Sequence, residues 1–150
     1  MSQFYGTHQN RLDAKGRVSV PAAFRATLKS DSGQPALILR PSEKLSCMDA
    51  WPEPVFKTLQ GPVDALPEMS QAHDDLAATI FAEAARLEVD KDGRISLPPE
   101  LIAHARLTDA VVFMGLGRKF QIWEPAAAAA FREAVRERQL RREETAQVAA

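Results

Sequence analysis

The sequence predicts an α+β protein, mainly β, in which two tandem copies of one unit interleave their hairpins into a single pseudo-symmetric barrel with flanking helices. Three observations carry this. First, Leu12-Asp13-Ala14-Lys15-Gly16-Arg17-Val18-Ser19-Val20-Pro21 returns 77 residues later as Val89-Asp90-Lys91-Asp92-Gly93-Arg94-Ile95-Ser96-Leu97-Pro98, with Asp, Gly, Arg, Ser and Pro identical at five of ten positions. Second, the residues after each glycine alternate polar and apolar, the period of a half-buried strand. Third, a unit of roughly 45 residues cannot close a core alone, whereas two copies can cover each other's open edges.

Taken in order, each copy reads as strand, turn, strand, short helix, strand, strand, and a helix after a Trp. In Asp-x-x-Gly the Asp side chain accepts from backbone N–H groups, and Gly supplies the positive φ of a tight turn, so Asp13, Gly16, Asp90 and Gly93 are the turn-forming residues. Pro21 and Pro98 stop the strands and open helices over Ala22–Leu28 and Pro99–Ala105. Ala36–Leu39 and Ala110–Met114 are apolar runs typical of buried strands, and Gly115-Leu116-Gly117-Arg118 forms a hairpin loop into Phe120–Trp123. Trp51-Pro52-Glu53-Pro54 is echoed by Trp123-Glu124-Pro125.

Between the copies, Pro52–Pro67 reads as Pro-rich and irregular, with a helix over Val55–Leu59. A second helix starts at Ser70 or His73 and runs to about Arg86, because Leu76, Ile80, Phe81, Ala84 and Leu87 recur at helical spacing. The Ala-rich run Ala126–Glu144 is a helix that frays toward its end, its Arg136, Arg138, Arg141 and Arg142 forming a solvated face paired with Glu. The expected organisation is a first unit at 4–54, a linker and helix at 55–82, a second unit at 83–126, and a C-terminal helix with a frayed tail at 127–150.

Over 150 residues the formal charge is only −1, which by itself argues against a polyanionic partner. The charge is unevenly placed: residues 1–29 carry +4, residues 30–88 carry −6, residues 89–123 carry +1, and residues 124–150 are neutral. A basic head on a slightly acidic chain can attract a polyanion locally. The lone Cys47 excludes an internal disulfide framework and a Cys-rich zinc module. Neither a membrane-length apolar run nor an apolar signal core occurs, so the expected compartment is the cytoplasm, with no membrane partner.

Catalytic chemistry finds no footing. His8, His73 with Asp74 and Asp75, His104 and Cys47 form no metal pair at i,i+4, no nucleophile elbow and no Cys/His signature. His104 reads as a surface helix residue and Cys47 as a small hydrophobe on a strand. Gly115-x-Gly117 leads into a strand and lacks the third Gly of a dinucleotide cradle. No catalytic residue, metal ligand or cofactor is therefore assigned, and the protein is not expected to be an enzyme.

The two motifs in register, together with Gly6, Asn10, the stretch from Phe81 to Trp123 (Ala84, Asp90, Gly93-Arg94-Ile95, Pro98, Leu101, Gly115, Trp123), make the chain resemble the MraZ family. These bacterial proteins have two tandem SpoVT-AbrB-type swapped-hairpin units, and the resemblance spans about residues 4–126. It implies a sequence-specific DNA-binding transcriptional regulator, expected to be a repressor, associated with the nucleoid. Its implied partners are double-stranded promoter DNA with direct repeats in the division and cell-wall gene cluster, and further copies of itself in a ring.

Family DNA contacts are attributed to the basic residues of Asp-x-Lys-Gly-Arg, which are Lys15 and Arg17 here. In the second copy Arg94 is in place, but the Lys slot holds Asp92 and Lys91 is shifted by one. The inter-repeat helix carries Asp74, Asp75 and Ala78 where the family usually has arginines.

Physically, Arg17 at a narrow hairpin tip can bond guanine O6/N7, while Lys15 and Arg11 can neutralise phosphates. The expected DNA-binding set is thus Lys15, Arg17, Arg11, Arg94 and Lys91. The bland counterpart is an exposed turn whose Arg simply pairs with the neighbouring Asp. Repeated surfaces let subunits close into a ring, multiplying weak tips into avidity. The competing functional reading is a ring-forming interaction scaffold with no DNA role.

Overall fold

The structure, a computed structural model, describes residues 3–28 and 34–149. It is a mixed α and β protein with a mostly antiparallel sheet. In chain order the strands are β1 (Thr7–Arg11), β2 (Arg17–Ser19), β3 (Ala36–Pro41), β4 (Met48–Pro52), β5 (Ala85–Glu88), β6 (Arg94–Ser96), β7 (Ala110–Gly115) and β8 (Phe120–Trp123). The helices are α1 (Ala22–Leu28), α2 (Glu53–Lys57), α3 (Gln60–Asp64), α4 (Gln71–Ala77), α5 (Pro99–Ala105) and α6 (Pro125–Ala149).

Six strands form one antiparallel sheet in the order β1-β7-β8-β4-β3-β5, and β2 pairs with β6 in a separate ribbon. The first strand of each half therefore lies on the third strand of the other: Gln9 opposes Val112, and Leu87 opposes Leu37. Equivalent backbone bonds recur across the two halves. Leu12 N donates to Asp109 O at 3.0 Å and Val89 N to Pro35 O at 2.9 Å. Leu97 N donates to Gly16 O at 2.8 Å and Val20 N to Gly93 O at 2.9 Å.

Strict alternation along the strands divides the apolar residues between two faces. Leu37, Leu39, Phe113, Phe120 and Ile122 face the main core, where Val18 and Ile95 of the ribbon and Phe24 and Leu101 of α1 and α5 close over them. Phe4 completes this core, edge-on to Phe24 at 5.2 Å and to Phe120 at 5.0 Å. On the opposite face, α6 covers one cluster, with Phe131 stacked on Trp123 at 4.7 Å. Its counterpart is Trp51, packed by Phe56, which Phe81 of the inter-repeat segment meets edge-on.

Four local expectations are corrected. The helix expected to reach Arg86 starts at Ser70, whose hydroxyl caps His73 N at 3.1 Å, but α-helical geometry ends at Ala77. A π-helical turn (Ala78–Ala82) follows, and Ala85–Glu88 is a strand. Alternate residues Ala85 and Leu87 are half-buried while Arg86 and Glu88 are exposed, so the period here is two, and pairing with β3 decides the outcome. The irregular stretch after Pro52 holds two short helices, α2 and α3, in place of one over Val55–Leu59. Finally, α6 continues unbroken to Ala149, past the fraying expected near Glu144. Cys47 lies just ahead of β4, fully buried, and not within a strand.

Candidate nucleic-acid interface

Each Asp-x-x-Gly turn is built by its own carboxylate. Asp13 Oδ1 accepts from Lys15 N at 2.9 Å and Arg17 N at 2.8 Å, while Gly16 N donates to Asp13 O at 3.1 Å and Gly16 takes φ +79°. Asp90 Oδ1 accepts from Asp92 N and Arg94 N, both at 2.9 Å, Gly93 N donates to Asp90 O at 3.0 Å, and Gly93 takes φ +81°. The backbone N–H of Arg17 holds the Asp13 carboxyl below the usual carboxylate range, and that of Arg94 does the same for Asp90.

The turns differ in how they hold their arginines. Arg17 Nε donates to Asp13 Oδ2 at 2.8 Å. That is the contact of the bland reading, yet it is made through Nε and does not consume the terminal guanidinium nitrogens. In the second turn Arg94 Nη2 donates to Asp92 at 3.3 Å, while its Nε is 3.9 Å from Asp90 and buried without a hydrogen-bond partner. Two carboxylates thus flank Arg94 where one orients Arg17.

The β2–β6 ribbon brings both turns to one surface. Arg17 opposes Ser96, Ser19 opposes Arg94, and Val18 opposes Ile95. Val18 and Ile95 point into the core, each 1% exposed, so the two arginines and two serines occupy the outer face. Arg17 and Arg94 are diagonal neighbours across the ribbon, a separation that long side chains can span. The Arg17 charge also contributes to the lowering at Asp90. Lys15 and Lys91 are exposed on their turns, and Arg11 is exposed at the end of β1, opposite Ala110.

Sequence reading missed one basic residue at this surface. Arg25 of α1 reaches the second turn: a Cβ on Gly93 would meet its Nη1 at 2.9 Å, and the same nitrogen donates to Val20 O. At the first turn the corresponding neighbour of Gly16 is Ile102 of α5, at 3.2 Å. The signal available was a break in the repeat: counted from Pro21 and Pro98, Arg25 aligns with Ile102.

The three histidines weighed for catalysis have packing or hydrogen-bond partners of their own. His8 sits edge-on to Phe24 at 5.3 Å, His73 Nδ1 is 3.1 Å from Asp74, and half-buried His104 places Nε2 3.1 Å from Leu45 O. Burial pushes the Cys47 thiol up to about 12, far from a nucleophile's range. Among the described residues no helix is long and apolar enough to cross a membrane.

Fold and surface together define a two-repeat protein whose halves trade their first strands and present a paired Arg-x-Ser ribbon. The family model described as "MraZ protein, putative antitoxin-like" matches residues 3–76 and again 80–149. The chain is 56% identical over 130 residues to the "Transcriptional regulator MraZ" of Gluconacetobacter diazotrophicus, covering 85% of this chain and 82% of that protein. It is also 56% identical over 140 residues to the protein of the same name from Gluconobacter oxydans (92% and 85% covered), and 39% identical over 129 residues to that of Pelagibacter ubique (86% and 83%). The chain belongs to the MraZ family.

Proposed function

We propose that this protein is a cytoplasmic, nucleoid-associated transcriptional regulator, acting as a repressor, that binds direct repeats in double-stranded promoter DNA through its basic turns. Its relatives' shared name supports a regulatory role. The observation that carries the DNA reading is the outward ribbon face, on which Arg17 and Arg94 stand diagonal to each other, with Lys15 exposed on the turn that leads into it. Arg17, oriented by Asp13, is the base-reading candidate; Lys15 and Arg11 are phosphate contacts. Serine hydroxyls at 19 and 96 add short donors and acceptors between the arginines.

The exchanged first strands and the paired ribbon support a swapped-hairpin barrel of the SpoVT-AbrB type. One chain offers only a few phosphate contacts, each contributing about −0.9 to the slope of log K against log salt. A ring of identical copies on boxes about one helical turn apart, ~34 Å, raises that weak affinity by avidity.

The test is binding of wild type and Lys15→Ala/Arg17→Ala to the DNA upstream of its own coding sequence, with oligomer size measured in parallel. The expected result is a steep salt dependence, loss of binding in the double variant with its assembly intact, and much weaker binding to a single box. Equal binding by both proteins would overturn the turn-based mechanism. No DNA binding by an intact ring would favour the interaction scaffold.

A further inference from the structure

We propose that Arg25, delivered from the first half, is the cation that lets the second turn engage DNA. The inference rests on the DNA reading above and concerns the position before each turn glycine, where the two motifs carry opposite charges. In the first turn Lys15 precedes Gly16, whereas Asp92 precedes Gly93, so the second turn has a carboxylate where the first has an ammonium. Asp90 and Asp92 both face Arg94 and compete with a phosphate for it. On its own residues the second turn is a poor anion site.

The exchange of strands changes its surroundings. Each turn glycine is covered by the other half's helix, Gly16 by Ile102 and Gly93 by Arg25. The apolar partner falls on the turn with a lysine before its glycine, and the cationic one on the turn with an aspartate there. Arg25 is held there by its bond to Val20 O, one residue after β2, and it lines an open cleft with Lys91, Asp92 and Gly93. Anchored at Nη1, the guanidinium keeps further donors for a phosphate oxygen, in the fork geometry that suits it. With Lys91 and Arg94, it gives the second turn three basic groups against two acids. The first turn has Lys15 and Arg17 against Asp13, so both turns carry a net charge of +1.

Binding to DNA upstream of its own coding sequence, followed by fluorescence anisotropy across a salt series, tests this. Arg25→Ala is expected to weaken binding about tenfold and to reduce the salt slope by about one per engaged second turn. Asp92→Lys, which puts a lysine in the position Lys15 holds, restores affinity in the Arg25→Ala background. Glu137→Lys, the same charge change on an exposed position of α6, does not restore it. Should Arg25→Ala fail to fold, Arg25→Gln decides: it keeps an N–H donor and most of the side chain without the charge, and it weakens binding if Arg25 meets a phosphate.

An Arg25→Ala variant that is folded and binds with wild-type affinity and slope overturns the proposal, as does an Asp92→Lys variant without effect. The two readings separate cleanly. Loss in Lys15→Ala/Arg17→Ala with no change in Arg25→Ala removes this inference and leaves the first turn as the DNA site. No loss in either removes both.

Discussion

Asp13 grips Arg17 twice, accepting its backbone N–H at 2.8 Å on one oxygen and its Nε at 2.8 Å on the other. The two bonds fix the turn and aim the side chain with the same carboxylate. Asp13→Asn keeps an oxygen for the backbone N–H but replaces the second oxygen by an amide that repels Nε–H. The expected outcome is a folded protein whose DNA binding falls about three- to tenfold, because Arg17 must be ordered at the moment of binding. Circular dichroism checks the fold, and anisotropy the affinity.

Acid should loosen both turns together. Asp13 and Asp90 are held below the ordinary carboxylate range in the folded chain, so each contributes stability above its unfolded pKa that is lost as pH falls through the folded value. Urea denaturation between about pH 5 and pH 2 should show this decline. Asp13→Asn/Asp90→Asn should be less stable at neutral pH and flatter across that window. A wild-type curve as flat as the variant's would contradict the assignment.

Gly115 is sensitive for a non-local reason. A Cβ there would lie 2.5 Å from Tyr5 N and 2.6 Å from the Phe4 carbonyl carbon, both backbone atoms that cannot swing aside. Phe4 N donates to Gly117 O at 2.7 Å and Gly115 N to Gly6 O at 2.9 Å, so the N-terminal segment is stitched to this hairpin. Gly115→Ala should displace that segment and strip Phe4 from the core, approaching the ~3–5 kcal/mol of a Phe→Ala core deletion. Chemical denaturation of both Gly115→Ala and Phe4→Ala checks it: if the losses are similar, the glycine acts through Phe4.

The turns were legible because their chemistry is local: Asp13 reaches only to residues 15 and 17, and Asp90 to 92 and 94. That the copies share strands followed from a unit too small to close alone, and the sheet order has β1 on β7 and β5 on β3. The end of α4 was not legible. Leu76, Ile80, Phe81 and Ala84 keep helical spacing up to a strand in which Leu87 is set by period two, and the short window fits both patterns. The break in the repeat marks Arg25 as unusual, but its contact with Gly93 is not legible in sequence. It depends on which half's helix covers which turn, a property of the exchange and not of any segment.

The outer face of the sheet buries a polar chain that should report on sheet integrity. Gln121, 4% exposed, donates from Nε2 to Asp49 Oδ1 at 2.9 Å and accepts from Trp123 Nε1 at 2.9 Å. Asp49, 5% exposed, is also 3.4 Å from Lys119 Nζ, which lies 5.3 Å over the Trp51 ring. Gln121→Ala would leave the indole N–H and one carboxylate bond unmade at once. A cost of roughly 2–6 kcal/mol follows, since each orphaned buried group carries about 1–3 kcal/mol. Gln121→Glu separates the two bonds: it retains an acceptor for the indole but sets a second carboxylate against Asp49. The introduced carboxyl should have a raised folded pKa, so its variant is relatively most stable at acid pH and loses stability as pH rises through that value. Denaturation midpoints at pH 5 and pH 8, read from the tryptophan emission, should diverge for Gln121→Glu more than for wild type; parallel pH dependence would show that Gln121 does not couple Asp49 to Trp123.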